Sequence, residues 1–305
     1  NTPLSINGSE RSVPSVPPTA EQTPARITTD PSQLDALAER LALNGAPIAL
    51  DIETYGPGKD DAVNPWKGDI RLLTLAVPGA DPWLLDLQTI GYDLGALAPV
   101  LSTATIIGHN LKFDALWLRV KCGLVLPTLR DTMTASRLLT AGRREERNSL
   151  EAVAQRHLGV TLDKSAQTVP WGGGLAPAQL RYAAADVVHL HALDAALSKE
   201  LTAAGLADVY RLEMELLPYI VDMEARGFPV NTDTLQQFNS EAEERAVAAT
   251  SSLQKLFGIP DLNPGSPPQL KAALAAKGVQ VASTGEAVLL ASEDKTYIPA
   301  ILAHR

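Results

Sequence analysis

Cysteine is almost missing from this chain: Cys122 stands alone among 305 residues. That excludes an internal disulfide and any thiolate cage for a metal, and it suits a reducing compartment. Long apolar runs are missing too. No window approaches the roughly 18 uninterrupted apolar residues of a membrane helix, and the N-terminus lacks the basic-then-apolar layout of a signal peptide. A soluble cytoplasmic protein, or a viral one acting in its host cell, is expected rather than a secreted or membrane protein. Aromatic residues make up only 5% of the chain, and basic residues are outnumbered, leaving a net charge of −9. Such a balance argues mildly against nucleic-acid binding. The charge is uneven, however: from Arg130 to Arg181 eight basic residues face five acidic ones, so a locally basic face is open alongside ordinary solvated helix surface.

What is present is a chain with 45% apolar residues, enough to bury a core in one large domain or two smaller ones. Residues 1–30 are rich in Pro, Ser and Thr without periodicity and read as a linker or loose arm. The chain opens on Asn1, which suggests a piece of something longer. A short helix is expected over "DPSQLDALAERLALNG", closed by Gly45. The segments "PIALDIE", "IRLLTLAV", "PWLLDL" and "TIIGHN" read as strands separated by Gly, Pro and Asp. Helical spacing then takes over in "FDALWLRVKCG", "DTMTASRLLTAG", "SLEAVAQRHLG" and one long segment from Ala176 to Gly205. A mixed α/β domain over 31–206 and an all-helical segment over 207–305 follow from this pattern.

Two carboxylates close the first of these strands. Alternation puts Asp51 and Glu53 on one face with Ile52 on the other. Like charges so placed call for a cation, and oxygen-only donors suit a hard ion such as Mg²⁺ or Mn²⁺. Taken alone, Asp-x-Glu also fits a polar strand end. Further along, "GHNLKFDALWL" sets Asp114 in the first turn of a helix, where exposed amides favour a carboxylate. "RYAAADVVHL" sets Tyr182 and Asp186 four apart on one helix face. That pair alone also fits a core tyrosine beside a solvated acid. His189 and His191 read as helix-surface residues, while Tyr55, Trp66 and Trp171 are open between base stacking and packing under a loop.

In order, Asp51-Ile52-Glu53, Asn110-Leu111-Lys112-Phe113-Asp114 and Tyr182-Ala183-Ala184-Ala185-Asp186 resemble the three exonuclease motifs of the DEDD superfamily, tyrosine branch. The intervening segments resemble the proofreading domain of family A DNA polymerases. Residues 207–305, with "RLEMELLPYIVDMEARGFPVNTDTL" and "LNPGSPPQLKAALAAKG", resemble the opening of the polymerase domain in that family.

The resemblance implies a ribonuclease H-like mixed sheet with helices on both faces. It also implies a metal-dependent 3′-5′ exonuclease that proofreads in DNA replication or repair, releasing 5′-mononucleotides from a single-stranded or frayed DNA end. Two divalent cations, Mg²⁺ or Mn²⁺, would be bridged by Asp51, with Glu53 and Asp186 completing one site and Asp114 supporting the other. Tyr182 would orient the attacking water. Thr54 through its backbone, Asn110 and Phe113 would contact the terminal nucleotide. The nucleotide-transfer motifs of the family would lie beyond Arg305, so this chain is expected to degrade DNA and not extend it. An RNase D-like RNA trimmer and an inactive scaffold that docks DNA are the alternatives.

Overall fold

The computed structural model describes residues 26–304 apart from 59, 142, 144 and 164–168, so most of the expected N-terminal arm lies outside the described residues. Two compact units divide at Gly227 and Phe228.

The first unit is built on a six-stranded sheet in the order β1-β4-β3-β2-β5-β6. Its strands are β1 (Arg26–Thr28), β2 (Ile48–Tyr55), β3 (Asp69–Ala76), β4 (Trp83–Asp86), β5 (Thr105–Gly108) and β6 (Thr128–Asp131). β2 runs antiparallel to β3 and parallel to β5, which makes it the hinge between the antiparallel and parallel halves of a mixed sheet. At Glu53 the β2–β3 register shifts: Glu53 faces Leu72, Thr54 faces Ile70, and Arg71 is the extra residue of a bulge. A bulge of this kind bends its strand and re-aims nearby side chains.

Both faces are covered. On one, Ile48, Leu50 and Ile52 pack with α1 (Gln33–Asn44), α3 (Leu97–Thr103) and α4 (Leu111–Lys121) in a single aliphatic core. On the other, Ala49 and Ile107 pack with α6 (Leu150–Leu158) and α8 (Leu190–Ala203), while Leu72 and Leu84 meet α7 (Pro177–Val188). A short α2 (Leu87–Ile90) follows β4, and α5 (Thr132–Leu139) starts directly from β6, its first amides capped by Asp131.

Several elements depart from the expectations. Ile27 and its neighbours form edge strand β1 beside β4, inside the stretch read as a linker. β6, "TLRD", carries no alternating apolar signal beyond Leu129 and is a strand because β5 offers it a partner. The long helix expected from Ala176 breaks at His189 into α7 and α8, and the break turns the His189 ring inward: it is 2% exposed and not a surface residue. α9 (Ala207–Arg226) lies within the first unit, sending Met214, Leu217 and Val221 into the core of α4 and β6. The unit therefore ends twenty residues beyond the boundary expected near 207.

The second unit is all-helical, with α10 (Thr232–Phe257), α11 (Pro267–Ala276), α12 (Glu286–Leu290) and α13 (Tyr297–His304) around Phe257, Leu270, Leu274 and Leu289. Among the described residues no helix is long and apolar enough to cross a membrane.

Candidate active site

The pleat of β2 sends Asp51 and Glu53 toward α7, away from the aliphatic core that takes Leu50 and Ile52. α7 begins with Pro177 at its first turn, which suits a fixed φ and a missing N–H. Its inner face carries Tyr182 and, one turn on, Asp186, both buried. Three alanines separate them, small enough to let the helix lie close to the sheet. The result is one cluster: an oxygen from each of Asp51, Glu53 and Asp186 lies within 4.8 Å of the others.

That donor set fits a hard divalent ion. Oxygens bound to one Mg²⁺ at ~2.1 Å stand about 3.0 Å apart when adjacent and about 4.2 Å apart when opposite, so three oxygens within 4.8 Å of one another can share an ion after side-chain movements of an ångström or so. Among the described residues no Cys or His joins the cluster, which disfavours zinc.

Asp114 reaches the same strand from the other side but is not part of that close trio. Beyond Gly108, β5 no longer runs beside β2, and Asp114 Oδ1 accepts the Ile52 N–H at 3.0 Å. The side chain is 3% exposed. Burial, with Asp131 adding repulsion, pushes its carboxyl up to about 8 despite the amides that favour the charged form.

The Tyr182 hydroxyl is hydrogen-bonded to Asp186. Burial first, then the charges of Asp186, Glu53 and Asp51, drive its pKa well above the ordinary tyrosine range, so it keeps its proton.

Around this centre, Asn110 is exposed and left-handed (φ 65°), a conformation asparagine tolerates better than most residues. Its N–H donates to Asp131 Oδ1 at 2.8 Å. Asp131 also accepts from Met133 N and the Thr134 hydroxyl, so it ties the start of α4 to the start of α5. Asp131 is hard to find in the sequence, because it bonds two backbone amides and a nearby hydroxyl and only a helix-cap signal marks it. Thr54 spends its hydroxyl on the Ala62 carbonyl (2.6 Å), pinning the β2–β3 loop and leaving its backbone for other contacts. Phe113 is half-buried, its ring tilted against Trp117. Trp171 is buried against Tyr182, whereas Trp66 is 57% exposed.

The locally basic stretch is partly neutralised. Arg130 pairs with Asp194, and Arg143 and Arg156 with Glu146. Arg144 and Lys164 fall outside the described residues.

A family model described as 3′-5′ exonuclease, from DNA polymerase A, matches residues 25–202. DNA polymerase I of Aquifex aeolicus (strain VF5) is 33% identical over 257 residues, covering 77% of this chain. The chain spans 40% of the length of that relative. Among solved structures, Brucella melitensis NrnC bound to pGG superposes with a TM-score of 0.56 at 23% identity, over 68% of this chain and 95% of that one. RNase D of Trypanosoma brucei gives a TM-score of 0.56 at 23% identity, over 70% of this chain and 76% of that one. These two likenesses speak for the fold, which is ribonuclease H-like. With the family match covering more than half of its length, the chain belongs to the 3′-5′ exonuclease family of A-type DNA polymerases.

Proposed function

We propose that this chain is a divalent-cation-dependent proofreading nuclease that removes 5′-mononucleotides from the 3′ end of DNA. The observation that carries the proposal is the convergence of Asp51, Glu53 and Asp186 beside the Tyr182 hydroxyl. Asp51, Glu53 and Asp186 would hold the cations, with Asp114 supporting from the α4 side. A pair of divalent ions held there would supply Lewis-acid polarisation of the phosphodiester and would stabilise charge on the departing oxygen.

The chain's own groups do the rest. The Tyr182 hydroxyl donates a hydrogen bond to Asp186, keeps its proton, and has lone pairs left on its oxygen. One of these accepts a hydrogen bond from the attacking water and aligns it without competing for a cation. The water oxygen bonds to phosphorus as the bond from phosphorus to the 3′ oxygen breaks. The proton given up by the water passes to solvent, and solvent protonates the departing oxygen. The shortened strand gains a 3′ hydroxyl while the released nucleotide carries the 5′ phosphate. Asn110, the backbone at Thr54 and the ring of Phe113 border the place of the terminal nucleotide. Asp114, whose carboxyl burial holds far above the ordinary range, would support a cation only as the carboxylate, so loading the site would release its proton.

Residues 31–206 would be the nuclease part and 207–305 the opening of a polymerase part, with α9 fastened to the nuclease by its packing. The proposal is tested by following matched 3′-labelled single-stranded DNA and RNA with Mg²⁺ or Mn²⁺. Release of 5′-mononucleotides from DNA, abolished by chelation, is expected. Strong preference for RNA would replace the substrate, and release that survives chelation would refute the cation dependence.

A further inference from the structure

The segment Pro170–Gly174, which leads into α7, is held at four points against the neighbourhood of Tyr182. Gln179, 3% exposed, donates from Nε2 to the Pro170 carbonyl (3.3 Å) while its Oε1 accepts the Ala176 N–H (3.0 Å). Trp171, 5% exposed, sets its ring at 45° to Tyr182 with centroids 6.2 Å apart. At Gly172 a Cβ would stand 2.9 Å from Cδ2 of Tyr55, so glycine lets the backbone lie close to that ring. The Gly173 carbonyl accepts from Arg71 Nη1 at 2.7 Å. Arg71 is the extra residue of the β3 bulge, and it is locked in turn by Asp86 and Gln88.

The positions of α7 that flank Tyr182, three and four residues away, are Ala178, Gln179, Ala185 and Asp186, which offer no large apolar wall for a phenol ring, so its apolar walls come from elsewhere. Leu72 and Leu84 supply the sheet side and Trp171 supplies another. We propose that Trp171 is a positioning residue for Tyr182: the strap, fixed through Arg71 and Gln179, presses the indole against the phenol and sets where the hydroxyl sits among the three carboxylates. The inference rests on the nuclease assignment above and adds to it a residue that acts through Tyr182.

Trp171→Phe and Trp171→Ala, each made in the wild-type and Tyr182→Phe backgrounds, test it on 3′-labelled single-stranded DNA. In the wild-type background Trp171→Ala lowers kcat about ten-fold and Trp171→Phe less, with KM little changed, whereas in the Tyr182→Phe background both lose most of that effect, as coupled residues do. Mn²⁺ binding measured by calorimetry stays near wild type in both single variants. If Trp171→Ala does not fold, as judged by its thermal melt, Trp171→Phe completes the cycle. Equal losses in both backgrounds, a rise in KM with kcat unchanged, or loss of Mn²⁺ binding would each overturn the positioning role. Wild-type protein that releases no nucleotide would instead refute the nuclease assignment, so the two failures are distinguishable.

Discussion

On one side of β2, Ile48, Leu50 and Ile52 sink into an aliphatic core shared with α1, α3 and α4. On the other side of the same eight residues, Asp51 and Glu53 meet Asp186 and the Tyr182 hydroxyl. Like charges brought this close repel, and partial burial deprives them of solvent. The strand holds them nonetheless because its opposite face is fully engaged: Leu50 has no exposed surface. Stability and chemistry are thus assigned to alternate residues, and a slip of one position would exchange them.

Substitutions on the two faces should therefore fail in opposite ways. The largest effect is expected on the acidic face: Asp51→Ala or Asp186→Ala lowers nucleotide release by on the order of 10³-fold or more. The metal-free melting temperature should hold or rise, since a repelling charge is gone. Kinetics alongside calorimetric melts check both halves. Next comes the apolar face, where Leu50→Ala should cost about 2–5 kcal/mol in denaturant unfolding yet keep its turnover at temperatures below its melt. If Leu50→Ala were inactive while folded, the separation of the faces would be broken.

Asp114 lies between the two faces, and the effect of changing it depends on pH. Burial raises its folded-state carboxyl to about 8, well above the ordinary carboxylate range, so the protonated form favours the fold. That contribution is complete below the unfolded value and is lost as pH rises through about 8. Metal-free protein should become less stable across that span, and Asp114→Asn, which keeps an acceptor for Ile52 N–H, should flatten the decline. Mg²⁺ should stabilise the wild type more at alkaline than at acidic pH, because the cation competes with the proton. Melts over a pH series with and without Mg²⁺ decide this.

Much of this arrangement can be read from residues alone, and the reasons differ from element to element. β2 announces itself because an apolar run ends abruptly in Asp51, Ile52 and Glu53, and strand alternation needs no further information to pair the acids. Tyr182 and Asp186 are legible for the same reason in helical spacing. β1 and β6 are not, because three or four residues with a single apolar side chain become strands only when β4 or β5 lies beside them. The break at His189 is hidden by helical periodicity that continues through it. Trp171 is the sharpest case: flanked by Gly172, Gly173 and Gly174, it has no pattern to say which way it points, and only the contact with Tyr182 gives it a place. Asp114 was legible by position but not by environment, since its burial depends on where β5 stops.

The central claim, that Asp51, Glu53 and Asp186 jointly hold a divalent cation, is tested most directly by anomalous diffraction at the manganese edge from crystals grown with Mn²⁺. The account predicts an anomalous peak within bonding distance of oxygens from all three residues. Carboxylates that turn apart, with no peak between them at saturating Mn²⁺, would contradict it.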